Sequence, residues 1–215
     1  MELTAVIVDD VAEELERARS VLSTEPGIRV IGEASSGFEA LPILEQLHPD
    51  VLVLDLGLPD LGGLQVLQRL TEISPRTKAI VVSGGTRTPT IASAMRGGAS
   101  GFLSKAEIGY CLVPAIRDVM KGQRYISPRC LDILVFSARI TLPIGLDTFE
   151  ELTDRQREVS ALTDLSFTAA EIGLQLKISR RAVEGHRANS LERLGLSNVT
   201  ALAQVARVRR PPPRP

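Results

Sequence analysis

Cysteine is scarce in this 215-residue chain: there are two, Cys111 and Cys130. They lie far apart and in no metal-ligand spacing. That excludes a disulfide framework and a cysteine-held metal, and it fits a reducing cytosol. Long apolar runs are missing too. No stretch approaches the roughly 20 residues that a membrane span needs. The opening MELTAVIVDD has no basic start, and it puts an acidic pair where a secretion signal stays apolar. These absences predict a soluble, cytoplasmic protein with no membrane partner. A strong excess of one charge is also lacking, since the formal net charge is −1. The balance is uneven along the chain. Residues 1–149 carry 14 Lys and Arg against 18 Asp and Glu, a net of −4, and residues 150–215 carry 11 against 8, a net of +3. An acidic front and a basic back suggest separate jobs, with the back nearer an anionic partner.

What is present is enough apolar residue, 44%, for real cores, and enough length for one large or two ordinary domains. The front half is organised around PDVLVLDLGLPD at 49–60. Val51 to Leu54 reads as a buried strand of a parallel sheet, bounded by Pro49-Asp50 and by Gly57 and Pro59. It ends in one carboxylate, Asp55. In open α/β sheets the reactive groups sit just outside the carboxyl ends of the strands. By itself Asp55 could equally cap a loop.

The neighbouring segments argue for chemistry. Leu3–Val8 reads as strand 1, stopping at Asp9-Asp10, and Ile28–Gly32 as strand 2. Lys78–Val82 is strand 4, ending at Ser83-Gly84-Gly85, and Gly101–Leu103 is strand 5, ending at Lys105. Helical patterns lie between them: Val11 to Leu22, Phe38–Leu47, Leu64–Ile73, Thr90–Gly97 and Ile108–Gly122. Five strands alternating with five helices predict a flavodoxin-like doubly wound parallel sheet. With strand order 2-1-3-4-5, strands 1 and 3 meet at the switch point, where a ligand crevice is expected. Asp9, Asp10 and Asp55 would then converge. Like charges held that close call for a cation. All-oxygen donors suit Mg²⁺ or Mn²⁺ rather than zinc. Lys105 can pair with an added anion, and the Ser83 hydroxyl can donate to it. The chemistry that fits is phosphoryl transfer onto Asp55. A hydrolytic phosphatase with a strand-end Asp would want a second acid two residues on, and Gly57 stands there.

IVDD at 7–10, LDLGLPDLGG at 54–63, VVSGG at 81–85 and GFLSK at 101–105 carry a resemblance. Residues 1–122 resemble the receiver domain of bacterial two-component response regulators. The resemblance implies Asp55 as phosphoacceptor, Asp10 as a direct Mg²⁺ ligand with Asp9 assisting, and the Gly57 carbonyl as a further ligand. It implies Ser83 and Lys105 as phosphate-sensing groups, and Phe102 as an aromatic that turns inward when the phosphoryl group is present. Plain core packing is the other reading of Phe102. Two departures are Ala106 after Lys105, where proline is frequent, and Gly62 before Gly63, where Asp is frequent.

Residues 123–148 read as an interdomain linker. Tyr125 to Pro128 looks like a turn followed by a helix start, with Ser127 as N-cap and Pro128 at the first helical position. A linker helix over Leu131–Ile140 turns Leu131, Leu134 and Val135 inward, and Pro143 and Gly145 break it. Its apolar residues could also form a dimer seam.

From Phe149 the pattern is helical only. Thr153 with Gln156 makes a capping box for a helix running to about Thr163. Thr168–Leu176 follows. Then come a tight turn at Lys177-Ile178 and a helix from Arg180 to about Leu194, capped by Ser179 and stopped by Gly195. Asn198–Val208 is a last helix, and 209–215 is a Pro/Arg tail. Two short helices joined by a tight turn, the second rich in Arg, look like a helix-turn-helix. A solvated basic face on a small bundle is the bland alternative.

LTDRQREV at 152–159, EIGLQLKIS at 171–179 and AVEGHRANSLERLGLSN at 182–198 make residues 150–206, within a domain expected over 149–208, similar to the LuxR-type DNA-binding domain of the NarL/FixJ family. The resemblance implies two half-sites and a dimer through the last helix. Ser179, Arg180, Arg181 and Arg187 would hold phosphates, and Glu184 could accept from cytosine N4. His186 would pack or touch the backbone, having no partner His or Cys for metal work. Ser166 stands where a turn Gly is usual, and Ala182 where Thr is common. Gly185 and Ala188 leave few long donors on the groove face.

The reading is therefore a transcriptional response regulator rather than an enzyme. A sensor histidine kinase would phosphorylate it. Once phosphorylated it would form a homodimer and bind promoter DNA. The alternative is a phosphorylation-dependent interaction module with a weakened helix-turn-helix.

Overall fold

The structure, a computed structural model, describes residues 2–140, 152–194, 196, 198 and 199. It divides into two compact units, Met1–Cys130 and Leu131–Pro215.

The first unit is built on a parallel sheet. Its strands are β1 (Leu3–Val8), β2 (Ile28–Ala34), β3 (Val51–Asp55), β4 (Lys78–Ser83), β5 (Gly101–Ser104) and β6 (Tyr125–Ile126). Their order is β2-β1-β3-β4-β5-β6. The expected 2-1-3-4-5 order is present, with one edge strand added. Tyr125-Ile126 is not the expected turn: Tyr125 pairs with Gly101 and Ile126 with Phe102. Two residues are too few for strand periodicity to show in sequence.

Five helices cover the sheet: α1 (Ala12–Ser23), α2 (Gly37–Leu47), α3 (Gly63–Ile73), α4 (Thr88–Arg96) and α5 (Ile108–Met120). Side chains alternate across each strand. Ala5, Ile7, Val51, Val53, Ile80, Val82 and Leu103 form one buried cluster with Ala18 and Leu22 of α1 and Ile108, Leu112, Ala115 and Ile116 of α5. The intervening residues Val6, Leu52, Leu54, Val81 and Phe102 are buried as well, as a sheet covered on both faces requires. That is why β3 reads as an unbroken apolar run. Its five residues are all buried, Asp55 included.

Ser36 caps α2 by accepting from Glu39 N–H. The Asp60 carboxylate adds a long-range cap, accepting from Gly37 N–H at 2.9 Å and Phe38 N–H at 3.1 Å. These hydrogen bonds hold the Asp60 carboxyl down at about 2 against the opposing effect of burial.

α6 spans Pro128–Ile140, three residues longer at its start than the expected linker helix. Pro128 opens it as expected. The side chain of Val135 and the breaks at Pro143 and Gly145 lie outside the described residues.

The second unit holds α7 (Asp154–Asp164), α8 (Ala169–Leu176) and α9 (Arg180–Arg193). Val159, Leu162, Leu165, Phe167, Ile172, Leu176 and Val183 are buried. Thr153 and Gln156 form the expected capping box, with Thr153 N–H donating to Gln156 Oε1 at 2.8 Å. Thr168 and Glu171 form a second one on α8 that the sequence reading passed over. Lys177 turns the chain in the left-handed region, and Ser179 Oγ caps α9 by accepting from Ala182 N–H at 3.1 Å. The helix expected over Asn198–Val208, the stop at Gly195 and the 209–215 tail fall almost wholly outside the described residues.

Ser166, in the turn between α7 and α8, has φ +65°. That is the left-handed region, which costs a residue with a Cβ about 1 kcal/mol or more. Ser166→Gly is therefore expected to stabilise the second unit by about 1 kcal/mol, read as a higher urea midpoint with an unchanged slope.

Candidate functional site

The site lies at the carboxyl edge of the sheet. β1 ends at Val8 and delivers Asp9 and Asp10. β3 ends at Asp55, which lies opposite Val82 of β4. Ser83 follows Val82 and lies opposite Ser104, the residue before Lys105. Neighbouring strands run about 4.8 Å apart, so one parallel register gathers all these positions.

The contacts are direct. Lys105 Nζ sits 2.7 Å from Asp9 Oδ2 and 3.5 Å from Asp55 Oδ2. Asp9 Oδ1 accepts from Val11 N–H at 3.0 Å, and Asp55 Oδ2 accepts from Gly57 N–H at 3.0 Å. One oxygen each from Asp9, Asp10 and Asp55 lies within 4.8 Å of the others. Asp9 and Asp55 are buried and Asp10 is exposed.

Burial raises the Asp55 pKa above the ordinary carboxylate value. The Lys105 charge pulls it back and Asp9 pushes it up again, with the balance upward. Burial pulls Lys105 down, but the Asp9 hydrogen bond and the charges of Asp55, Asp9 and Glu14 overcome it and raise the ammonium. Three carboxylates facing one lysine are under-neutralised. The donor set, all carboxylate oxygen, fits a hard divalent cation.

Gly57 and Gly63 keep this pocket open. A Cβ on Gly57 would stand 3.0 Å from Asp55 Oδ2. A Cβ on Gly63 would stand 2.2 Å from the Asp55 carbonyl oxygen and 2.7 Å from Leu56 Cα. The Gly63 N–H donates to Leu56 O, so α3 starts hard against the end of β3. Ser83 is buried and its Oγ accepts from Gly85 N–H at 3.1 Å. Phe102 is wholly buried in β5, opposite Val81 and Ile126.

The sequence reading missed Glu107. It sits in the 3-10 turn Lys105–Glu107 and is 3% exposed. Its carboxylate accepts from Ser127 Oγ and, at 3.1 Å, from Arg129 N–H. Ser127 Oγ in turn accepts from Ser104 N–H at 3.3 Å. Ser127, expected as an N-cap, thus spends its hydroxyl proton on Glu107, and Glu107 takes the first N–H of α6, that of Arg129, since Pro128 has none. The clue was a lone acid between a strand end and an apolar helix.

In the second unit, Ser179, Arg180, Arg181, Glu184, Gly185, Ala188 and Asn189 are exposed along α9. Arg180 Nε donates to Glu184 Oε1 at 2.8 Å, so the acid expected to read a base already has a partner. His186 is half-buried, and its carbonyl accepts from Ser190 Oγ at 2.8 Å. Arg187 points inward. Its Nε donates to Thr163 Oγ1 at 3.0 Å and its NH2 group to Phe167 O at 2.9 Å.

Comparison with known proteins now decides the family. Residues 5–117 match the response regulator receiver domain, and residues 150–206 match the bacterial regulatory proteins of the luxR family. The chain belongs to the NarL/FixJ family of two-component response regulators. Response regulator UvrY of Escherichia coli K12 is 30% identical over 206 residues, covering 95% of this chain and 93% of UvrY. The transcriptional regulatory protein UhpA of Salmonella typhimurium is 31% identical over 202 residues, covering 94% and 96%. The solved RcsB response regulator of Salmonella typhimurium has a TM-score of 0.59 at 20% identity, covering 96% of this chain and 98% of RcsB. Another solved structure contains two RcsB dimers bound to two parallel DNAs. With a receiver domain and a luxR-family domain in one chain, this response regulator is a DNA-binding regulator of transcription, not an enzyme. Its receiver domain implies a kinase partner, and its acidic cluster is compatible with a divalent metal. Among the described residues no helix is long and apolar enough to cross a membrane.

Proposed function

We propose that Asp55 is the phosphoacceptor through which a sensor histidine kinase, or a small phosphodonor, controls this regulator. The observation that carries the proposal is a buried carboxylate at a strand end, 3.5 Å from Lys105 and clustered with Asp9 and Asp10. An Asp55 carboxylate oxygen attacks phosphorus, the bond to the donor nitrogen or oxygen breaks, and the leaving group keeps that electron pair. Lys105 turns from Asp9 toward the new phosphoryl oxygens, and the Ser83 hydroxyl donates to another. Asp9, Asp10, Asp55 and the Gly57 carbonyl would hold Mg²⁺ (or Mn²⁺). When bound, the ion neutralises charge on the transferred group.

Phe102 is already wholly buried in β5, so the expected inward turn has no room left to occur; the α4–β5–α5 face then favours a homodimer. Residues 1–122 act as receiver, 123–148 as linker and 149–208 as DNA-binding domain, ahead of the 209–215 tail, in a cytoplasmic protein. Ser179, Arg180 and Arg181 grip operator phosphates, His186 supports the backbone side, and Glu184 must leave Arg180 to accept from a base. A swing from 1% to 99% active needs about 5.5 kcal/mol of preference. The Arg180–Glu184 pairing beside Gly185 and Ala188 also favours a second reading, in which α9 reads DNA weakly and the partner is another protein. Failure to retain genomic fragments, with or without beryllofluoride, would support it.

The deciding experiment is Asp55→Asn with acetyl phosphate, read by intact mass. The parent should gain one phosphoryl group and the variant none; a labelled variant would remove Asp55 from this role. The same variant tests the electrostatics. Because its folded pKa is raised, Asp55 contributes stability that is present at low pH and lost as pH rises through that pKa. Asn is neutral throughout. In chelator, Asp55→Asn should be the more stable protein at pH 7.5, with the difference shrinking toward pH 4. Equal urea midpoints at pH 7.5 would contradict the upward shift that burial gives Asp55.

A further inference from the structure

α9 carries little apolar surface to hold it in place. Its fully buried residues are Val183 and Ser190. Arg187 lies four residues after Val183 and three before Ser190, on the same helical face. It therefore points at the packing surface, not at solvent. One nitrogen of its fork reaches Thr163 Oγ1, in the last turn of α7, and another reaches the Phe167 carbonyl, in the turn between α7 and α8. Thr163 is itself anchored, its hydroxyl donating to Val159 O at 2.7 Å. One side chain thus joins the last turn of α7 and the turn after it to the helix that presents Arg180, Arg181 and Glu184. Burial lowers the Arg187 pKa, as expected for a cation drawn away from water.

We propose that Arg187 is a positioning residue for DNA binding: its two-pronged hydrogen bond to Thr163 and the Phe167 carbonyl sets the seat of α9, and it makes no phosphate contact. The proposal rests on α9 being the groove-reading helix. Only a planar fork can serve both acceptors; a lysine offers a compact ammonium on a flexible stem. A phosphate contact would tolerate lysine, and a fork between two acceptors would not.

The test uses the full-length protein treated with Mg²⁺ and beryllofluoride. The probe is a 30-bp duplex that the parent enriches from a random pool, with binding measured across a salt series. Arg187→Lys should bind about tenfold more weakly or worse, given the usual strength of charged hydrogen bonds. The slope of log affinity against log salt should stay at the parent value. Arg181→Met, at an exposed position, should flatten that slope by about 0.9, the signature of one lost phosphate. Thr163→Val removes the acceptor without touching α9 and should weaken binding at an unchanged slope. Thr163→Ser keeps the hydroxyl and should bind like the parent, which a loss of bulk packing would not allow. Parent-like binding by Arg187→Lys or Thr163→Val, or a flattened slope in Arg187→Lys, would overturn the proposal while α9 keeps its groove role. A parent that enriches no duplex at all would overturn both together.

Discussion

Gly63→Ala is expected to cost about 3 kcal/mol of stability and to abolish phosphoryl uptake in the fraction that stays folded. The cause is a collision with the backbone that carries the phosphoacceptor. The added Cβ would lie 2.2 Å from the Asp55 carbonyl oxygen and 2.7 Å from Leu56 Cα, and neither atom can rotate away. Either α3 retreats from β3 or the end of β3 bends. Both responses move Asp55 relative to Asp9 and Lys105, and they strain the Gly63 N–H bond to Leu56 O. Gly62→Ala is the control one residue away. Its Cβ meets only Gln65 Oε1, at 3.7 Å, so stability and phosphorylation should stay close to the parent. Urea midpoints and intact mass after acetyl phosphate check both variants. A Gly63→Ala protein with parent stability and full uptake would mean that α3 and the end of β3 part without disturbing Asp55.

Much of the first unit was legible because its signals are long. β3 is a run of four apolar residues ending in Asp55, and α3 repeats apolar residues at Val66, Leu67 and Leu70, so pattern places both. The convergence of Asp9, Asp10, Asp55 and Lys105 followed from strand order, since parallel strands put every carboxyl end on one edge. What escaped has no period. β6 is two residues long, and its existence is decided by pairing with β5. Asp60 caps α2 from 23 residues away, a contact that no local pattern contains. In the second unit the caps at Thr153 and Ser179 were readable because a capping residue and its N–H partner are three apart. Arg187 was not readable as an inward residue. Arginine on a basic helix suggests an outer face, and the acceptors that reverse this, Thr163 and Phe167, lie 24 and 20 residues away.

Glu107→Ala is the second substitution with a large expected effect, about 3 kcal/mol. Glu107 is buried, so the change leaves Ser127 Oγ and Arg129 N–H facing a void, and hydrogen bonds to a charged acceptor are worth about 1.5–3 kcal/mol each. The loss should be local before it is global. Ser127 also receives the N–H of Ser104, beside Lys105, so three short segments meet at this carboxylate: the end of β5, the residue after β6 and the first turn of α6. Amide exchange should rise first at Arg129, whose N–H has lost its acceptor, and then at Ser104, while Val53 and Ile80 in the sheet centre stay protected. Glu107→Gln keeps one carbonyl oxygen of the same reach but loses the charge and the second acceptor. It should recover roughly half of the stability and keep Arg129 protected if the amide oxygen faces the helix. Equal exchange at Arg129 in all three proteins would show that α6 begins without this cap, and that the cost of Glu107→Ala lies elsewhere in the turn.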